Sequence, residues 1–327
     1  MNLELFLATK TGTPIIGQIA SVMGWIMDGI YKMLDGLFGI QNIGLCIIIF
    51  SILIFAFMTP LQIKQQKFSK LSAIMQPEIQ KIQKKYQGKK DQDSMMKMQE
   101  ETQAVYQKYG VSPTGSCVQL AIQLPILYAL YQVIQNIPAY VSSVYNVFNG
   151  VCTQILAVDG FADIINNFIT DNKMTRVRQV TDNADSIVDF LYALSPSQWK
   201  SLQDISQFSG FSDQISKTAS EIQKMQTFGV LNIADQPLSY IKTGSLILII
   251  AALAIPLLSW ATQMLNLKLM PQAATQNGND DNNAMASSMK TMNTVMPLMS
   301  AFFCFTFPVG LGIYWIASAV VRSIQQL

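Results

Sequence analysis

Apolar positions along the chain take two forms, stripes at helical spacing and long runs without charge. Residues 14–40 show the stripe: Ile15, Ile19, Val22, Met23, Ile26, Ile30, Met33, Leu34 and Leu37 recur every three or four positions, while Gln18, Asp28, Lys32 and Asp35 break the hydrophobicity. This pattern predicts an amphipathic helix lying on a membrane face rather than crossing it. The uncharged runs cover 36–63, 109–158, 243–267 and 291–321. A transmembrane helix needs about 20 mostly apolar residues, and only these runs supply them.

The runs place span one at 42–62, ending at Pro60-Leu61, span two at 113–138 after Ser112-Pro113-Thr114-Gly115, and span three at 242–264 with Pro256 inside it. The last run and the tail to Leu327 hold 37 residues centred on Phe307-Pro308-Val309-Gly310. That is room for two short spans, 291–308 and 309–327, and too much for one; a re-entrant hairpin is the alternative left open by length alone. The expected fold class is all-α: a polytopic membrane protein with five transmembrane helices, a cytoplasmic helical hairpin and, within residues 1–41, an amphipathic N-terminal interfacial helix.

Charge orients this layout. Residues 63–112 carry ten lysines against five acids, so the positive-inside rule puts that connection in the cytoplasm. Within it Leu71, Ile74, Ile79, Ile82 and Tyr86 form one helical stripe, interrupted at Pro77, and Met95, Met98, Val105 and Tyr106 form another. The turn-rich Gln87-Gly88-Lys89-Lys90-Asp91 between them predicts an antiparallel helical hairpin. Residues 142–241 carry six basic and ten acidic side chains, which places the 139–241 region outside, partly helical, with one helix opened by Ser195-Pro196. The linker 265–290, rich in Asn, Gln, Ser and Asp, falls inside by parity. The N-terminus is then outside and the C-terminus inside, and MNLELFLATKTG lacks the basic segment, apolar core and cleavage site of a signal peptide.

Composition narrows the chemistry. The chain is 50% hydrophobic and 13% charged, has no histidine, and places Cys46, Cys117 and Cys304 in apolar stretches with Cys152 outside the candidate spans. No catalytic residue, metal site, cofactor or disulfide framework is expected from such a set. Inside the spans, past Lys242 at the very start of the third, Arg322 near the cytoplasmic end is the only Asp, Glu, Lys or Arg, which argues against ion-coupled transport. Gln119 and Gln123 lie four apart on one face of span two, and amides in hydrocarbon need partners. They serve either as hydrogen-bonding glue between helices or as the wall of a hydrated groove, to which Ser51 and Thr59 of span one, Ser259, Thr262 and Gln263 of span three, and Thr306 and Ser318 of the last pair would add.

The run YQKYGVSP (106–113) followed by IQLPI (122–126) and ALY (129–131) resembles the cytoplasmic hairpin and second span of the YidC/Oxa/Alb membrane protein insertases. FGVLNIADQPLSY (228–240) is similar to the segment entering that family's third span, and MNTVMPLMSAFFCFTFPVGLGIYWIASAVVRSIQQ (292–326) to its fourth and fifth. About two thirds of the chain shares the likeness, and residues 142–227 do not.

The resemblance implies an insertase and chaperone in the bacterial plasma membrane. A polar groove inside the bilayer would solvate the hydrophilic end of a nascent membrane protein, working alone or with a Sec translocon. It also implies that Gln119, Gln123, Ser259, Thr262 and Ser318 contact clients, and that the hairpin lysines Lys81, Lys84, Lys85, Lys89 and Lys90 recruit ribosomes, the signal recognition machinery or anionic lipid. No specific nucleic acid is implied as a partner. The family's usual groove arginine sits five residues before the Pro-Leu that ends span one, and here that position is Phe55; Gln119 is the expected partial substitute for its polarity. A small-solute transporter or channel subunit, or a scaffold that does not insert, are the competing readings.

Overall fold

The computed structural model describes residue 10 and residues 13–89, 91–110, 115–174, 177–241, 245–269, 295 and 297–326, with the side chains of 69, 72, 115–120 and 122 excepted. Lys90, the side chains of Cys117 and Gln119, and most of the linker expected at 265–290 lie outside the described residues. The chain divides into two compact units.

The first unit takes Met1–Phe50, Pro125–Ile255 and Cys304–Tyr314. Helix α1 (Pro14–Phe38) starts on a proline and stops at Gly39, whose φ of 65° is a left-handed conformation that glycine adopts without steric cost. One face of α1 buries Ala20, Met23, Met27, Ile30, Tyr31 and Leu34, yet Ile15, Val22, Trp25 and Leu37 on another face are bare, Trp25 at 77% exposure. Apolar side chains on an uncovered helix face suit a lipid surface. The buried face packs on α6 (Ile137–Tyr140) and α7 (Ser142–Leu156). Gly24 allows this approach, since a Cβ there would stand 2.6 Å from Tyr140.

The rest of this unit is a helical body of α7, α8 (Phe161–Asp171), α9 (Ala184–Tyr192), α10 (Pro196–Gln203) and α11 (Ser212–Gln226). Val144, Phe148, Ile187, Leu191, Leu202, Phe208 and Ile215 are fully buried at its centre. Ser195 and Gln198 cap α10 reciprocally, and Asn183 caps α9. The region expected to be a partly helical loop is therefore a packed body with its own core. Its helices are short, so each carries too few turns for its apolar stripe to stand out in the sequence. The unit is helical as expected for an all-α chain, apart from a short antiparallel ribbon of two residues a side, β1 (Thr227–Phe228) and β2 (Leu231–Asn232). Beyond it the chain leads into α12 (Pro237–Tyr240) and holds the last helix, with Val309 N–H donating to Asp235 O at 2.8 Å and Gly310 N–H to Ile233 O at 2.9 Å. Burial pushes the Cys152 thiol up to about 12, with Asp185 adding to the shift, so the group stays a protonated, packed side chain.

The second unit takes Ser51–Leu124, Pro256–Phe303 and Trp315–Leu327. It receives the end of α2 (Ile43–Phe57), all of α3 (Thr59–Lys85) and α4 (Gln92–Lys108), the start of α5 (Gly115–Gln135), the end of α13 (Leu246–Leu269), most of α14 (Pro297–Thr306) and the end of α15 (Val309–Gln326). Helices α3 and α4 pack through buried Met75, Ile79 and Val105, with Ile82, Tyr106 and Tyr109 against them. The stripe expected to break at Pro77 does not: α3 runs through it. An interior proline costs about 3 kcal/mol, and Met75 and Ile79, buried on either side of it, hold the helix in place.

Among the described residues α13 alone is by itself long and apolar enough to cross a bilayer. Two bent pairs reach that length jointly, α1 with α2 at 119° and α7 with α8 at 113°.

Candidate functional site

Two polar stripes meet in the second unit. Ser51, Phe55, Thr59, Gln62 and Gln66 follow one another every three or four residues along α2 and α3, and Ser318, Arg322 and Gln325 do so along α15. Residues so spaced share one helix face. Gln325 Nε2 donates to Phe55 O at 3.1 Å and to Thr59 Oγ1 at 2.9 Å, and Gln66 Nε2 donates to Gln325 O at 3.1 Å. From α13, Asn266 joins them: its Oδ1 accepts from Gln326 Nε2 at 3.0 Å and its Nδ2 donates to Ala319 O at 3.3 Å. Ser51, Gln62, Asn266, Ser318 and Ser323 are all buried.

This cluster is not saturated. The Oε1 atoms of Gln325 and Gln326 are buried and accept no hydrogen bond. A buried acceptor left empty costs roughly 1–3 kcal/mol. Two such acceptors side by side on the last turn of α15 suit water or the N–H groups of another polypeptide.

The positive charge of the cluster sits on Phe55. The Arg322 guanidinium carbon lies 5.5 Å from the centroid of the Phe55 ring, itself 1% exposed. A cation over an aromatic face is stabilised by about 1–2 kcal/mol where water is excluded. The position that the resemblance assigns to an arginine therefore holds a phenyl ring with an arginine from another helix above it.

The residues singled out in the sequence are placed unevenly. Gln123 is half-buried on α5, and Gln119 lies on the same helix with its side chain outside the described residues. Ser259 is fully buried and its hydroxyl meets that of Ser300 at 3.1 Å. Thr262 and Ser318 donate to carbonyls of their own helices, Leu258 O at 2.7 Å and Trp315 O at 2.9 Å. Sequence reasoning passed over Gln62, Gln66, Asn266, Gln325 and Gln326, which fall at or just beyond the span ends, where polar residues are ordinarily solvated. The signal that would have found them is their spacing: 55, 59, 62, 66 on one segment and 318, 322, 325 on the other.

The hairpin uses its charges on itself. At the end of α3, Lys85 Nζ and Tyr86 OH both donate to Glu101 Oε1 of α4, the tyrosine at 2.9 Å. At the end of α4, Lys108 Nζ and Tyr109 OH both donate to Glu78 Oε1 of α3, at 2.9 and 2.7 Å. Each helix thus ends in a Lys-Tyr pair that clasps a glutamate on the other. The lysine and then the tyrosine hold each glutamate below the usual carboxylate range. Of the lysines expected to recruit partners, Lys85 is committed to Glu101, Lys89 stands 5.6 Å over the Tyr86 ring, and Lys81 and Lys84 are exposed. Among the described residues no group of histidine, cysteine or acidic side chains has the makings of a metal site.

A family model described as 60Kd inner membrane protein matches residues 33–327. The membrane protein insertase MisCA of Bacillus subtilis is 45% identical over 99 residues, 30% of this chain and 38% of its own length. The membrane protein insertase YidC of Alkalihalophilus pseudofirmus is 41% identical over 111 residues, 33% of this chain and 42% of its own length. That of Oceanobacillus iheyensis is 40% identical over 98 residues, 30% and 38% respectively. The chain thus matches about two fifths of the length of these curated relatives.

Proposed function

Because the chain belongs to the 60Kd inner membrane protein family, we propose that it acts as a membrane protein insertase and chaperone through the polar cluster of its second unit. The chain is a bacterial membrane protein, and on this reading α2, α5, α13, α14 and α15 are its five spans. The N-terminus faces out, and the α3–α4 hairpin lies in the cytoplasm. The observation that carries the reading is the pair of polar stripes on α2–α3 and α15, with buried acceptors left open at Gln325 and Gln326. Hydrated amides near a lipid-exposed helix pair lower the cost of moving a hydrophilic segment into the bilayer without any chemical step.

Arg322 supplies the charge that Phe55 lacks. A fixed cation in a poorly hydrated setting attracts carboxylates, so client segments with acidic external tails are the preferred cargo. Gln123 is proposed as a further contact, with Gln119 beside it. Ser259, Thr262 and Ser318, whose hydroxyls are engaged within the protein, serve as supports of the stripe rather than as its open face. Nascent chains on ribosomes are the proposed partners, with the exposed hairpin lysines as the docking charge; a Sec translocon and anionic lipid are further candidates.

Site-specific photocrosslinking tests the reading. Probes at Gln66, Gln123 and Gln325, with a control at lipid-exposed Leu257, are challenged with a ribosome-stalled single-span client. Adducts from the three polar positions and not from the control are expected. Adducts from the hairpin alone would overturn the groove and leave a recruiting scaffold.

A further inference from the structure

The two ends of α15 are held by different kinds of bond. Its first residues are tied by main-chain hydrogen bonds, from Val309 and Gly310 N–H to Asp235 and Ile233 O. Its last turn is tied by glutamine side chains. Gln325 Nε2 donates to Phe55 O and Thr59 Oγ1, Gln66 Nε2 donates to Gln325 O, and Gln326 Nε2 donates to Asn266 Oδ1. Among the described residues no main-chain hydrogen bond joins this turn to another helix.

The surface that receives Gln325 is a joint. Helix α2 stops at Phe57 and α3 opens at Thr59-Pro60, and Pro60 has no N–H with which to continue the ladder. Carbonyls at a helix end lack partners within the helix. Phe55 O, in the last turn of α2, accepts from Thr59 Oγ1 at 3.2 Å and from Gln325 of α15 instead.

The closed arrangement is also incompletely satisfied. Gln325 Oε1 and Gln326 Oε1 are buried and accept no hydrogen bond. An empty buried acceptor costs at least as much as a made hydrogen bond contributes, so the two offset a large part of what the four glutamine bonds supply. Parting the last turn of α15 from its neighbours would break those bonds and hydrate both acceptors. Closed and parted states therefore lie close in free energy.

From these observations we infer that the last turn of α15 is a latch on the polar cluster, closed against the α2–α3 joint and Asn266 at rest and released by an incoming hydrophilic segment. The N–H groups of such a segment match the open acceptors, and its carbonyls match the amide donors set free. It thus binds the parted state better than the closed one and shifts the balance towards it. The inference rests on the proposed function for what releases the latch, and on the geometry alone for the latch itself.

The test uses the full chain with its four cysteines replaced by alanine, in nanodiscs. Spin labels at the exposed positions Ile63 on α3 and Ile324 on α15 report their separation with and without a ribosome-stalled single-span client. A short main distance with a minor longer one is expected at rest, and the client is expected to make the longer one dominant. Gln66→Ala removes one donor and leaves Gln325 in place. It is expected to raise the longer population about fivefold without client, the worth of one hydrogen bond. In a second preparation, Thr59→Cys and Gln325→Cys are joined by a short reducible crosslinker. Insertion is expected to fall roughly tenfold while they are joined and to recover when the same sample is reduced. A single distance that neither client nor Gln66→Ala changes, or equal insertion by the joined and the reduced protein, would overturn the latch and leave the glutamines as fixed links between helices. Labels that part in Gln66→Ala while the native chain inserts no client would count against the insertase reading alone, so the two failures are separable.

Discussion

Replacing Arg322 with glutamine keeps a hydrogen-bonding side chain on α15 and removes only the charge above Phe55. A client carboxylate brought as close to the guanidinium as the Phe55 ring is, 5.5 Å, would gain about 3 kcal/mol at an effective dielectric constant of about 20. Part of that gain is offset by the water stripped from the carboxylate, which leaves about 1–2 kcal/mol, a factor of roughly 5–30. The assay is insertion of two otherwise identical single-span clients, one with an acidic and one with a neutral external tail, into vesicles containing each variant. Arg322→Gln is expected to slow the acidic client by that factor and the neutral one little. Arg322→Lys is expected to retain most of the preference, because the interaction is with net charge. The double change Phe55→Arg with Arg322→Phe is expected to restore it, since it exchanges the two groups across one contact. Equal loss for both clients in Arg322→Gln would mean that the arginine holds the helices together and does not read the client. No loss for either would refute the argument altogether.

Other consequences follow from single contacts. Gln325→Leu removes the donor shared by Phe55 O and Thr59 Oγ1. It is expected to cost about 1–3 kcal/mol of stability in a thermal melt, with impaired insertion at temperatures where the protein remains folded. Glu78 and Glu101 have folded-state pKa values below the ordinary one, so their contribution to the hairpin is present above the ordinary carboxylate pKa and fades as pH falls through the lowered values. Spin labels on α3 and α4 should therefore separate in acid, and Glu78→Gln with Glu101→Gln should abolish that pH dependence. Gly24→Ala trades about 1 kcal/mol of helix propensity against a 2.6 Å approach to the Tyr140 Cβ, which is anchored to the backbone and cannot swing away. Overpacking at about 1–3 kcal/mol should win, which a lowered melting temperature would show.

What the sequence made legible depended on how long each pattern ran. Helix α13, 24 residues from Leu246 to Leu269, is plain because charge is absent over its whole centre. The two hairpin helices are plain because turn residues and lysines bracket them. Residues 142–226 were not, because α8, α9 and α10 run only 11, 9 and 8 residues and each buries a handful of side chains. Their fold is settled by packing around Phe148, Leu191 and Phe208, which are far apart in the sequence and come together only in three dimensions. The polar cluster failed for a different reason. Attention fell on amides in the middle of an apolar run, such as Gln123, whereas Gln62, Gln66 and Gln325 flank their runs and look solvated.

Phe55 and Arg322 show why a position-by-position reading of function is weaker than a spatial one. The first apolar run by itself carries no charge, and the last helix by itself carries an arginine near its end that reads as an ordinary interfacial cation. Neither fact changes the chemistry of a site. Placed 5.5 Å apart, they form one contact, and on the proposed reading Arg322 stands in from the opposite wall for the arginine that the resemblance puts at position 55. Standing in from there is cheap because a guanidinium and a phenyl ring attract one another and because an arginine near a helix end reaches its place along a long apolar stem. On the proposed reading such an exchange would keep the field offered to a client, with Gln325 and Gln326, one turn further along α15, holding open acceptors beside the charge. If the proposed function holds, a carboxylate and the N–H groups of the segment that carries it would find complementary partners on the same helix face.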